Sequence, residues 1–154
     1  MEFGHREDQL KSFNELLTNS RTKALNNVVR KRIFAGNFFN LEENKGQYFL
    51  QAAKVRRLIQ RDFSAVFREQ RVDVLLLPST NHSAPTISQV RSRSAEENQN
   101  EDFFTQSANM CGLPAISLPF GHCSNGIPLG VQLIGGYLDD WKCLELGRLF
   151  QAAK

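Results

Sequence analysis

The spacing of apolar and polar positions divides this chain into two halves of different character. In the first half, apolar residues recur with a helical period. Ser12-Phe-Asn-Glu15 has the Ser-x-x-Glu spacing in which a hydroxyl and a carboxylate satisfy open backbone N–H groups at a helix start. A helical stretch is therefore expected from there toward Phe34, interrupted near Thr18 to Ser20 and ending ahead of Gly36. A longer helix is expected from about Glu42 to Gln70. Phe49, Ala52, Val55, Ile59, Phe63 and Val66 share one face of it, and Lys54, Arg57, Arg61 and Arg68 fall on the opposite face.

In the second half the pattern shortens. Val72 to Pro78 is an apolar run closed by proline, which suits a strand buried on both faces. A polar stretch from Ser79 to Glu101 follows, of a length that is usually functional or disordered. A short helix is expected from Asp102, stopping before Gly112 and Pro114. Ala115 to Phe120 and Leu129 to Ile134 read as strands, and Ser124-Asn125-Gly126 between them is a hairpin signal. An amphipathic helix from about Asp139 to Phe150 follows. The expected class is α/β, a mixed sheet flanked by helices.

A length of 154 residues, 41% hydrophobic and 23% charged, is enough to build one packed domain. No apolar run approaches the roughly 18 residues of a membrane-spanning helix. Met1 to Asp8 has neither the apolar stretch of a signal peptide nor the acid-free pattern of a transit peptide. The net charge of +3 permits a polyanionic partner without requiring one. Cys111, Cys123 and Cys143 are odd in number and lack C-x-x-C spacing, which argues against a disulfide framework and a zinc site. They read as small buried hydrophobes in a reducing compartment. His5, His82 and His122 are scattered without acid partners and read as surface residues. No Gly-x-Ser-x-Gly elbow, Ser-x-x-Lys pair or Gly/Ser-rich loop supplies a nucleophile, and no glycine pattern cradles a phosphate.

Three segments carry a resemblance. Asp102 to Pro119 (DFFTQSANMCGLPAISLP), Gly126 to Gly135 (GIPLGVQLIG) and Asp73 to Thr80 (DVLLLPST) are similar, in order and spacing, to the C-terminal end of the amidase signature family. Val29 to Phe39 (VRKRIFAGNFF) and Gln51 to Ile59 (QAAKVRRLI) resemble, within it, the A-type subunits of glutamyl-tRNA(Gln) amidotransferases of the mitochondrial kind. The resemblance implies the amidase signature fold and a glutamine-hydrolysing activity that feeds ammonia to Gln-tRNA(Gln) synthesis. It also implies B- and C-type partner subunits, tRNA met through the complex, no membrane, and a mitochondrial matrix location. ATP and magnesium would be used by a partner subunit, with no cofactor bound by this chain.

The family's Ser–cis-Ser–Lys triad has no counterpart here. Residues 1–154 are therefore expected to form the C-terminal portion of an amidase signature domain, inactive alone. A sheet cut from a larger fold would expose an edge and an apolar face, so poor solubility is expected. Two residues carry over as substrate-binding: Arg32, from the family's Arg-Ile-x-x-Gly motif, and Asp102, before the Gly-Leu-Pro segment. A guanidinium suits the α-carboxylate of a free amino acid and a carboxylate suits its α-ammonium. Plainer readings stand beside these. Asp102 is favoured at a helix start by the dipole alone, and Arg32 shares a basic turn with Arg30 and Lys31. The Lys54, Arg57, Arg61, Arg68 stripe could meet phosphates in a tRNA-handling complex, but the solvated-face reading is the better one, because no aromatic residue interleaves with it. Arg56, near the apolar arc, is assigned no role, and Cys111 is taken as packing. A free-standing amidase of small amides and a non-catalytic binding fragment are the alternatives.

Overall fold

A computed structural model of the chain describes residues 12–94 and 100–153; Met1 to Asp8, with His5, and residues 95–99 of the polar stretch lie outside them. The chain divides into two compact units, Met1–Ala53 and Lys54–Lys154.

The first unit is helical. α1 (Phe13–Ala24) starts as expected, the Ser12 hydroxyl accepting from the Glu15 N–H at 3.2 Å. The break falls at Leu25 and Asn26, not near Thr18 to Ser20, because Asn26 caps a new helix, α2 (Asn27–Asn40), its side chain accepting from the Val29 N–H at 3.0 Å. Gly36 does not end α2. An interior glycine costs only about 1 kcal/mol relative to alanine, and the Asn40 amide donates back to the Gly36 carbonyl at 2.8 Å. A single turn, α3 (Glu42–Lys45), follows, and Phe38, Phe39 and Tyr48 form an aromatic trio with centroids 5.3 to 6.1 Å apart.

The expected long helix resolves into α3, a turn at residues 46–48, α4 (Phe49–Ser64) and a π-helical segment, Ala65–Glu69. Its apolar face is graded. Phe49 and Val55 are exposed, while Ile59, Phe63 and Val66 are half-buried.

The second unit is built on a three-stranded sheet ordered β1 (Val74–Pro78), β3 (Pro128–Gly135), β2 (Ala115–His122). The α/β class stands, but where a mixed sheet was expected, both pairings among the described residues are antiparallel. The hairpin forms as expected. Gly126 has φ 75 and donates to the Cys123 carbonyl at 2.9 Å, a backbone state that glycine adopts without a Cβ penalty. β1 departs from its expectation: among the described residues it pairs only with β3, and Leu76 is 56% exposed, so this strand is an edge and not buried on both faces. Pro78, which cannot donate to a ladder, sits at its end.

β3 is central and supplies Leu133 and Ile134 to the core. One sheet face packs on α7 (Asp140–Ala152), where Gly147 lies against Ile116 and Leu118. The register places Ala115, Ser117, Gln132 and Ile134 on the other face, beside α6 (Phe103–Cys111). α6 ends at Gly112, as expected. The polar stretch contains a short helix that its composition did not announce, α5 (Ile87–Ser92), opened by a Thr86–Gln89 capping box.

Candidate functional site

Asp102 sits at the N-terminal cap position of α6, yet its side chain makes no capping bond. Its carboxylate is exposed and has no ion pair or hydrogen-bond partner among the described residues. Helix capping therefore does not account for this aspartate. Its backbone carbonyl is held by the Thr105 hydroxyl at 3.2 Å. The turn leading into it is fixed from both sides: Arg93 pairs with Glu101, and the Asn81 amide donates to the Asn100 carbonyl.

From this turn, α6 runs beside a polar cleft of about 440 Å³ on the sheet face. Thr105 and Asn109 contribute from the helix, Ser117 and Gln132 from the strands, and Ser79 from the end of β1. The Ser79 and Ser117 hydroxyls lie 2.8 Å apart. Gln132 organises the floor. It is only 4% exposed and spends both amide hydrogens on carbonyls, Pro78 and Phe104, each at 2.9 Å. A buried amide held this way fixes the first turn of α6 relative to β1 and β3.

The far end of α6 is held as well. Arg56 Nε donates to the Met110 carbonyl at 2.5 Å and the Gln60 amide to the Cys111 carbonyl at 3.5 Å. These are carbonyls of the last turn, where a cation is favoured by the helix dipole. Arg56, to which the sequence assigned no role, thus docks α4 on the C-terminus of α6. Its place at the border of the apolar arc was the signal for a cross-helix contact. Cys111, beneath this contact, is 2% exposed. Burial raises its thiol pKa, opposed in smaller part by the Arg56 charge.

Arg32 lies in the other unit, exposed on α2, with no ion pair or hydrogen bond among the described residues. Its neighbour Arg30 is engaged by the Asn27 side chain. Arg32 is thus a guanidinium left open for a ligand or for water. His82 and His122 are exposed, in a loop and at a strand end, with no acid partner among the described residues. Cys143 is buried like Cys111, whereas Cys123 is only half-buried. Among the described residues, no helix is long and apolar enough to cross a membrane.

Comparison with known proteins completes the picture. The profile of the Amidase family matches residues 1–144. The chain is 41% identical over 152 residues to the A-type subunit of mitochondrial glutamyl-tRNA(Gln) amidotransferase of Mus musculus, covering 98% of this chain and 29% of that protein. It is 42% identical over 155 residues to the corresponding protein of Aedes aegypti, covering 100% of this chain and 30% of that protein. The crystal structure of the A-type glutamyl-tRNA(Gln) amidotransferase subunit from Thermotoga maritima superposes with a TM-score of 0.59 at 36% identity, over 84% of this chain and 28% of that one. The chain therefore spans under a third of the length of these relatives.

Proposed function

The chain belongs to the amidase family, and from that premise we propose that it supplies the glutamine-holding portion of the amidase subunit of a tRNA-dependent amidotransferase. The assembled enzyme would hydrolyse glutamine and pass the ammonia to Glu-tRNA(Gln), forming Gln-tRNA(Gln). The likeness to these A-type subunits over essentially the whole chain carries this reading. The open carboxylate of Asp102 on a pinned turn supports it. In this scheme Asp102 takes the α-ammonium of glutamine and Arg32 its α-carboxylate, a combination that selects a free amino acid over a plain amide. The covalent steps belong to a Ser–cis-Ser–Lys triad that this chain does not contain. B- and C-type subunits complete the complex, one partner using ATP and magnesium; its location is the mitochondrial matrix, a reading supported by relatives named as mitochondrial.

The test has two arms. In the assembled amidotransferase, Asp102→Asn and Arg32→Gln should each raise KM for glutamine about tenfold or more. Ammonium, supplied as the alternative nitrogen donor, should still support Gln-tRNA(Gln) formation. Unchanged glutamine KM in both variants would remove the two residues from the site. The 154-residue chain alone should release no ammonia from glutamine and trap no hydroxamate with hydroxylamine. Turnover by the chain alone would overturn the assignment of the chemistry to residues outside it.

A further inference from the structure

The unit Lys54–Lys154 carries a second cleft, of about 360 Å³, which meets the polar one at Leu113. Arg57 and Arg61 reach it from α4, and Phe67 and Arg68 from the π-helical segment. Tyr137, just past β3, forms part of its wall. Three arginines thus line one space. None of them is ion-paired with a carboxylate among the described residues; Arg57 donates only to the Gln60 amide oxygen, at 3.0 Å. A solvated stripe would spread such charges, whereas a cleft lined by one sign of charge concentrates the field and draws an anion into it.

Aromatic rings accompany the charges. Along the helix the stripe has no aromatic residue interleaved with it, but the π-helical segment carries Phe67 to the same cleft as Arg68, and the fold brings Tyr137 in from past β3. Phe67 is half-buried and backed by the Phe63 ring, 6.5 Å away and nearly parallel. Tyr137 keeps 64% of its surface exposed at the rim. The segment that delivers Phe67 and Arg68 is irregular as well. It is a five-residue π-helix, followed by Arg71 in a left-handed conformation at φ 56. Short π segments are rare and cluster at functional sites, and a non-glycine residue at positive φ is backbone strain that the surroundings must hold.

We propose that this cleft binds a nucleoside phosphate, its phosphate on the Arg57, Arg61 and Arg68 guanidinium groups and its base against the Tyr137 and Phe67 rings. Arginine forks match phosphate oxygens two at a time, and a base stacks on an aromatic face whatever its sequence identity. An acidic peptide would use the charges but leave the rings idle, so the rings decide between the two. The volume lies within the range of small-ligand sites. A free nucleotide and an unpaired residue of an RNA strand present the same chemistry. The inference rests on neither Arg32 nor Asp102.

The test uses the 154-residue chain at submicromolar concentration, with binding read by anisotropy of a fluorescent AMP derivative and, separately, of a labelled single-stranded oligoadenylate. Wild-type chain should bind the AMP probe, with competition by AMP and not by adenosine. Arg61→Gln combined with Arg68→Gln should weaken binding about tenfold or more, and Tyr137→Ala should weaken AMP but not inorganic phosphate as competitor. Much tighter binding of the oligoadenylate assigns the site to an RNA strand; equal binding assigns it to a free nucleotide. Should the double variant fail to fold, the salt dependence of the wild-type chain decides, because phosphate contacts make affinity fall steeply with salt. No AMP-probe binding, binding insensitive to both salt and the arginine variants, or competition by an oligoglutamate peptide but not by AMP would overturn the proposal.

Discussion

The units Met1–Ala53 and Lys54–Lys154 cover their apolar side chains very differently. Among the described residues of the first, only Ser20 is buried, while Phe13, Ile33 and Phe34 stand 70%, 51% and 77% exposed. Its helices are held by local devices: the Ser12 and Asn26 caps and one aromatic trio. The second unit buries Ala108, Cys111, Leu118, Leu133, Ile134 and Cys143 between a sheet and two helices. Caps and helical period can specify where a helix forms but add little stability without a packed face. The difference teaches that the stability of this chain resides in the second unit, and that the first presents apolar surface of the kind that marks a contact face.

A matched pair of truncations separates the two units most strongly. Ile134, fully buried, cut to alanine should cost about 4 kcal/mol through lost transfer energy and a cavity. Phe34→Ala, a larger deletion at an exposed site, should stay within about 0.5 kcal/mol. Urea titrations of both variants provide the check, and equal costs would erase the distinction between the units. Next in size is Gln132→Leu, which keeps the volume but leaves the Pro78 and Phe104 carbonyls without their donor. About 2 kcal/mol should be lost, read as a lowered melting temperature.

How far the sequence revealed this molecule follows the same division between local and non-local forces. The Ser12 cap, the Asn125-Gly126 hairpin and the stop of α6 at Gly112 were legible because each is settled within a few residues. The edge position of β1 was not, since an apolar run states that side chains want cover and not how many strands provide it. The extension of α2 through Gly36 was missed because a weak helix breaker yields to its context. Asp102 was singled out by its motif, as the substrate-binding residue proposed above. Gln132 was hidden within an apolar strand, where nothing local shows that its amide serves two distant carbonyls. The cleft bounded by Arg61, Arg68 and Tyr137 joins segments about 70 residues apart, beyond any helical wheel.

Arg56→Met sharpens the picture within the second unit. The substitution keeps an apolar stem but removes the donor to the Met110 carbonyl, so about 1 kcal/mol should be lost. Amide exchange should quicken first in the last turn of α6, well before the strands respond. Uniform acceleration across the sheet would mean that Arg56 supports the whole core and not one helix end.

The smallest effect concerns the thiols and distinguishes true burial from mere position in an apolar segment. Burial raises the pKa of both Cys111 and Cys143, opposed at Cys143 by the Gly135 backbone contact and at Cys111 by the Arg56 charge. Cys123 is only half-buried. Because the thiolate is the reactive form, a thiol reagent should modify Cys123 quickly and the other two only as the chain opens. The sign of the pH dependence follows. Below the ordinary cysteine value, both folded and unfolded chains keep these protons and stability does not change on their account. Above it, the unfolded chain gives up protons that the folded chain still holds, so stability falls as pH rises toward the higher folded value. In Arg56→Met the last turn of α6 opens more readily, so Cys111 should be modified faster while Cys143 is unmoved. Unchanged modification of Cys111 would show that the Arg56 contact does not hold that turn.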